Sequence, residues 1–383
     1  MTGDNGELDL QMTPVGIATA RDASESIYAF ASKHGLIGAS DGLPTDHDGG
    51  QDDDPAPPAT KFESHSVIQT FRNRPIKLIV YDNKNRTVTV FTDKPIGIRL
   101  KKNLPHNING NIGIRYASSG NPEVRGSDSY QFGAEPYYVH NGRYTCGSSI
   151  FPANRMGAGT FGALVRHTDG RLLGLSNNHV TGACNNSEPG LPILAPAPGD
   201  VQAGRLDPFT VGRHSTLCPI HDGHPTMIDI TVNLDVALFE IVNENLVTSM
   251  QGKFFDTPAS VLPLEPGMRV EKVGRTTGHT FGNVTGVSIA PVAVAYDVKE
   301  YGINKHVYFS GDTVFTVEAD GESFFSAGGD SGSLVVYKDD AGVRHAVGLV
   351  FAGNERNRVS FIMPIDKVLE QINCSLISGF GAL

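Results

Sequence analysis

The 383-residue sequence contains no tryptophan and only four cysteines, Cys146, Cys184, Cys218 and Cys374, scattered widely along the chain. Such spacing excludes the dense disulfide framework of a small secreted domain, and four free thiols are expected. No apolar run approaches the roughly 18 residues that a membrane-spanning helix requires. The first residues, MTGDNGELDLQM, lack the basic start and apolar core of a secretory signal. These two absences predict a soluble, cytoplasmic protein. Basic charge is also in short supply, with 31 Lys and Arg against 41 Asp and Glu and a net charge of −10 at pH 7. That balance argues against a broad surface for nucleic acid or an anionic membrane.

What the sequence has in abundance is glycine and proline, 44 and 23 residues. Together with β-branched segments, this composition suits short strands joined by turns and predicts a mainly β protein. The length allows two or three domains. Residues 22–38 space Ile27, Phe30, Ala31 and Leu36 as in a short helix ended by glycine. Residues 39–59 are acidic, rich in Pro and Gly and poor in large apolar side chains, which predicts a flexible linker. IKLIVYD and TVTVFTD, separated by NKNR, read as a β-hairpin, with GNIGIRY as a third strand. The expected organisation is an N-terminal helix and linker over 1–60, a small α+β domain over 61–145, and a β-rich domain over 146–383. That last region reads as an antiparallel barrel or sandwich until PIDKVLEQI, where Ile365, Val368, Leu369 and Ile372 share one helical face.

The strongest chemical signal is GGDSGS, Gly328–Ser333, just before the apolar strand LVVY. A tight glycine-rich turn exposes the Ser331 hydroxyl and aims the N–H groups of Gly329 and Ser331 at one point, as an oxyanion hole requires. A serine needs a base and a group to orient that base. LGLSNNHV brings a strand into His179, which serves as the candidate base. In NLDVALFEI a single carboxylate, Asp235, stands in an apolar context where burial demands a partner, and the second imidazole nitrogen of His179 would supply one. Asp229 in MIDIT is the competing carboxylate and has the less apolar surroundings.

The order His, Asp, Ser and the strings SNNHV, DVAL, GGDSGS and GLVFAG resemble the trypsin-like serine peptidases of the chymotrypsin fold. KVGRTTGHTFGNVTGV, residues 272–287, is similar to a barrel-opening hairpin of bacterial members. A closer resemblance, over roughly residues 66–372, is to the intracellular branch that includes the plant narrow-leaf proteins and bacterial relatives. The resemblance implies a chymotrypsin-like double antiparallel β-barrel preceded by a small α+β domain. His179 and Asp235 would come from the first barrel and Ser331 from the second, with no cofactor and no metal. At the base of the substrate pocket, six positions before the nucleophile, where relatives that cleave after basic residues carry an acid, this sequence has Phe325. By the same resemblance Phe351 and Gly353 of GLVFAG would flank the substrate, an extended protein or peptide added as a strand.

CPIHDGH, with Cys218, His221 and His224, reads as a polar surface loop rather than a metal site, and His279 reads as structural. Nothing resembles an activation peptide, so control through the N-terminal region, a homo-oligomer or a regulatory partner is expected instead. The rival reading is a peptidase fold that binds peptides without cutting them.

Overall fold

A computed structural model describes residues 17–38, 62, 64–119, 122–124, 139–155, 157–201, 207–298, 301–321, 323–354 and 358–382. The linker expected over 39–59 lies outside them. Helix α1, Ala20–Lys33, opens on a capping box in which the Thr19 hydroxyl accepts from Asp22 N and the Asp22 carboxylate accepts from Thr19 N. Its buried face, with Ala23, Ile27 and Ala31, packs into one core with helix α2, His65–Arg72, and with strands β1, Ile76–Asp82, and β2, Thr87–Thr92. The β1–β2 hairpin turns at Asn83–Arg86, where the Asp82 carboxylate accepts from the Asn85 backbone and side chain. The expected third strand is present as β3, Ile112–Ser118, parallel to β2. The N-terminal helix and the hairpin therefore form one small α+β unit. Strand β4, Glu123–Val124, follows it.

The first half of the β-rich region is an open antiparallel sheet, a half-barrel. Its strands are β5, Ser149–Pro152; β6, Ala163–His167; β7, Leu172–Ser176; β8, Pro192–Ala195; β9, Phe209–Leu217; and β10, Ala237–Ile241. They run in the order β6–β7–β10–β9–β8–β5.

The second half closes. Its strands, with the hairpin inserted among them, are β11, Arg269–Gly274; β12, Gly278–Ser288; β13, Val292–Val298; β14, Ile303–Phe309; β15, Phe315–Ala319; β16, Leu334–Lys338; β17, Arg344–Asn354; and β18, Val359–Pro364. The ring β11–β12–β15–β18–β17–β16 returns to β11 through antiparallel ladders, a six-stranded barrel. The fold is thus mainly β, a chymotrypsin-like double antiparallel barrel behind a small α+β unit. The β11–β12 hairpin is the one expected from KVGRTTGHTFGNVTGV.

Three connections join these parts. Strand β1 pairs with the far end of β12 at Val80–Ser288, and a Cβ at Gly286 would lie 2.7 Å from Val80, so this crossing needs glycine. Helix α3, Ile365–Gln371, buries Ile365, Val368, Leu369 and Ile372 as its periodicity predicts. Beyond it, strand β19, Cys374–Leu376, returns to pair with β6 of the half-barrel. The β13–β14 hairpin projects from the second barrel, and β4 lies between β13 and β17. Among the described residues no helix is long and apolar enough to cross a membrane.

If α1 is integral to the small unit, truncating its central contact must destabilise the whole unit. Ile27→Ala is expected to cost about 2–4 kcal/mol, read as a lower denaturant midpoint. A change within about 0.5 kcal/mol would place α1 outside the cooperative core.

Candidate active site

At the end of β7 the chain enters a wide turn, Asn178–Gly182, that is buried throughout. Side-chain amides satisfy the backbone there. Asn177 Nδ2 donates to the Asp235 carbonyl at 2.6 Å, and Asn178 Nδ2 donates to the Cys218 carbonyl at 2.9 Å. Gly182 is required, because a Cβ would stand 2.4 Å from Asn178 Oδ1. Arg155 Nη1 holds the His179 carbonyl at 2.6 Å.

The imidazole of His179 meets the carboxylate chosen from the sequence. His179 Nδ1 lies 2.5 Å from Asp235 Oδ2, and His179 N donates to Asp235 Oδ1 at 2.9 Å. Asp235 stands two residues before β10 and has no exposed surface. Its competitor Asp229 is exposed and caps Thr231, whose hydroxyl and N–H hold the Asp229 carboxyl below its ordinary range. A further donor escaped the sequence reading. Tyr296 on β13 donates its hydroxyl to Asp235 Oδ2 at 2.8 Å, with its ring edge-on to His179 at 6.0 Å. Burial, followed by the Asp235 charge, pushes the Tyr296 phenol well above its usual range, so it stays a donor.

The Ser331 loop is organised by a second buried carboxylate. Asp330 accepts from Thr276 N at 2.7 Å, Ala327 N at 3.0 Å and Thr277 Oγ1 at 2.7 Å. It also pairs with Lys272 Nζ at 3.2 Å, both side chains being fully buried. Burial draws the Lys272 ammonium below its usual range while the Asp330 charge opposes the shift. Gly329 and Gly332 adopt φ of +97° and +94°, open to glycine and strained for other residues. The N–H groups of Asp330, Gly332 and Ser333 are spent inside the protein. Those of Gly329 and Ser331 donate to no acceptor among the described residues.

The two loops meet through Thr160. Its N–H donates to the Ser331 carbonyl and its hydroxyl to the Gly329 carbonyl, both at 2.9 Å, and its own carbonyl accepts from Ser176 Oγ at 2.8 Å. Ser176 is the last residue of β7, three positions before His179. The serine loop of the second barrel is therefore seated on the strand end that delivers His179 from the first. Arg275 adds a buried two-pronged pair with Asp200, at 2.6 and 2.8 Å, across the same junction.

The residues expected to flank substrate divide differently. Phe325 has no exposed surface and packs in the second-barrel core with Val284, Val317 and Val350. Phe351 is equally enclosed, 5.1 Å from the Phe309 ring. Apolar rings at inward-facing barrel positions gain more from burial than from lining an open slot. Gly353 remains partly open near Ser326, whose hydroxyl lies 2.6 Å from that of Ser360. Gly353 is also paired with Glu123 of β4.

The CPIHDGH residues serve separate tasks. Burial pushes the Cys218 thiol up to about 11, His221 N donates to Asn233, and the His224 ring stands 6.5 Å from Tyr308. His279 binds Glu271 at 2.6 Å. All four cysteines are free thiols.

No protein-family model and no curated protein match this sequence. Chains of solved structures do match it, 247 in all. They include Thermobifida fusca protease A, 17% identical over 61% of this chain and 98% of that one, with a TM-score of 0.39. A glutamic acid specific serine protease, described as using a histidine triad in substrate binding, is 17% identical over 61% of this chain and all of that one, at 0.39. The Rv3671c protease of M. tuberculosis in its active form is 19% identical over 61% and 83%, at 0.31. These neighbours are serine proteases. The closed barrel and the half-barrel are established by their strand pairings.

Breaking the Lys272–Asp330 pair from one side strands a buried carboxylate. Lys272→Met is expected to lower stability by about 3–5 kcal/mol in urea unfolding, with part recovered in Lys272→Met/Asp330→Asn. An unchanged midpoint would mean that the threonine donors alone neutralise Asp330.

Proposed function

We propose that the chain is a serine endopeptidase acting on a specific protein or peptide substrate inside the cell, as the resemblance to the intracellular branch suggests. The observation that carries this reading is the buried Asp235–His179 contact beside a serine loop with two unspent N–H groups. In the proposed reaction His179 takes the Ser331 proton as Oγ attacks the peptide carbonyl. The oxyanion forms against the N–H groups of Gly329 and Ser331. His179 then passes the proton to the leaving amine, and water attacks the acyl-enzyme by the reverse sequence. Asp235 holds Nδ1 and stabilises the imidazolium throughout. The role requires no cofactor.

One observation favours a latent form of the same enzyme. An extended substrate would add as a strand along β17 at Gly353, and β4 stands there. Glu123 pairs with Gly353, Val124 pairs with Tyr296, and Val124 also lines the small cavity beside His179. Strand β4, which follows the small N-terminal unit, thereby holds the place that substrate would take, and its release would be the activating step.

Val124→Pro, which has no N–H to give to the ladder, tests both halves of this reading on a mixture of peptides, with new termini read by mass spectrometry. Cleavage is expected to rise about tenfold over the parent, the factor that about 1.4 kcal/mol of lost strand pairing corresponds to, and to vanish in Ser331→Ala/Val124→Pro. Equal, measurable cleavage by the parent and Val124→Pro would remove the latency, and no cleavage by either would remove the peptidase reading. His179→Ala is expected to lower turnover by about six orders of magnitude.

A further inference from the structure

The Asp235 carboxylate is held from two directions. The first is His179, whose Nδ1 contacts Oδ2 as the sequence predicts and whose backbone N–H donates to Oδ1. The second comes from the β13–β14 hairpin, which lies outside the closed ring of the second barrel. There Tyr296 spends its hydroxyl on Asp235 Oδ2, the oxygen that His179 Nδ1 also contacts. Tyr296 is 1% exposed, and its ring packs against Phe309 at 6.3 Å, so the hydroxyl is fixed by the core around it.

We propose that Tyr296 is a positioning residue for the His179–Asp235 pair, through its hydrogen bond to Asp235 Oδ2. The consequence for catalysis rests on the peptidase reading, whereas the consequence for the hydrogen bond does not. A carboxylate oxygen shared by two donors carries less free charge than one facing a single donor. The phenol therefore moderates how strongly Asp235 binds the His179 Nδ1 proton, and it keeps the carboxylate plane from turning. Its ring closes one side of the imidazole.

The other charged or titratable groups around the pair are few. Arg155 reaches the His179 carbonyl, Asp297 lines the same small cavity, and the Cys184 and Cys218 thiols lie near Asp235, with Lys305 near Cys184. Burial pushes the Cys184 thiol up to about 12, so it stays neutral at ordinary pH. The phenol and the imidazole both reach Asp235 Oδ2 and set its charge.

Tyr296→Phe removes one oxygen and keeps the ring. Two measurements on the full chain test the inference. The rate at which a fluorophosphonate labels Ser331 is followed against pH, and the His179 Nδ1–H signal is followed in proton spectra of protein carrying nitrogen-15 histidine. With one donor gone, Asp235 binds the Nδ1 proton more tightly. The acid limb of the labelling profile is then expected to move up by about half a pH unit, which is about threefold slower labelling on that limb, and the Nδ1–H resonance is expected to move downfield. A merely structural role would lower the thermal midpoint and scale the rate equally at all pH values, leaving limb and resonance in place. That outcome overturns the inference. If the parent protein is not labelled at all, the peptidase reading fails, and the resonance still decides the role of Tyr296. An unmoved resonance in Tyr296→Phe then overturns that role as well.

Discussion

A carboxylate with no access to water must be met by hydrogen-bond donors or lose its charge, and much of the local architecture answers that demand at Asp235. The wide turn after β7 exists in a form that aims both the His179 N–H and the imidazole at it. Asn177 ties the Asp235 backbone to the same turn. The β13–β14 hairpin is anchored by a phenol that ends on the same oxygen. Side chains from two separate stretches of the chain, His179 and Tyr296, thus converge on one charge, and the geometry of the histidine is a by-product of solving its burial.

The same device recurs at the junction of the barrels. Asp330 with Lys272 and Asp200 with Arg275 are buried ion pairs, the first completed by backbone and threonine donors. Such pairs contribute less to net stability than apolar side chains of equal volume, because desolvation offsets the attraction. What they supply is position. Arg275 to Asp200 and Thr160 to the serine loop fasten the second barrel to the first, next to the strand end that carries His179. The strand β4 then lies against both β13 and β17, so the small α+β unit is coupled to the site by backbone pairing.

Features that repeat along the chain were legible in the sequence. Alternation located the strands, the β1–β2 hairpin followed from its turn, the β11–β12 hairpin from a resemblance, and the face of α3 from its period. Asp235 was legible because an acid in an apolar strand context is an anomaly that demands a partner. Tyr296 was not, since a tyrosine in VAVAYDV looks like an ordinary inward strand residue until the hairpin is folded over Asp235. Lys272 gave no sign of burial for the same reason, as its partner lies 58 positions away. Phe325 and Phe351 were placed by counting along a resemblance, which locates a residue in the chain without saying which way its ring turns. Helix α1 was grouped with the acidic segment by proximity in sequence, whereas its apolar face packs against β1 and β2.

On the proposed function, burial of Asp235 and Asp330 assembles a nucleophilic Ser331 across the barrel junction. The most direct measurement is covalent labelling of the purified chain and of Ser331→Ala by a fluorescent fluorophosphonate, read on a denaturing gel. A labelled parent and an unlabelled variant are expected, because the small probe needs the activated hydroxyl and not the strand edge held by β4. Absent labelling in the parent, or equal labelling of both proteins, would contradict it.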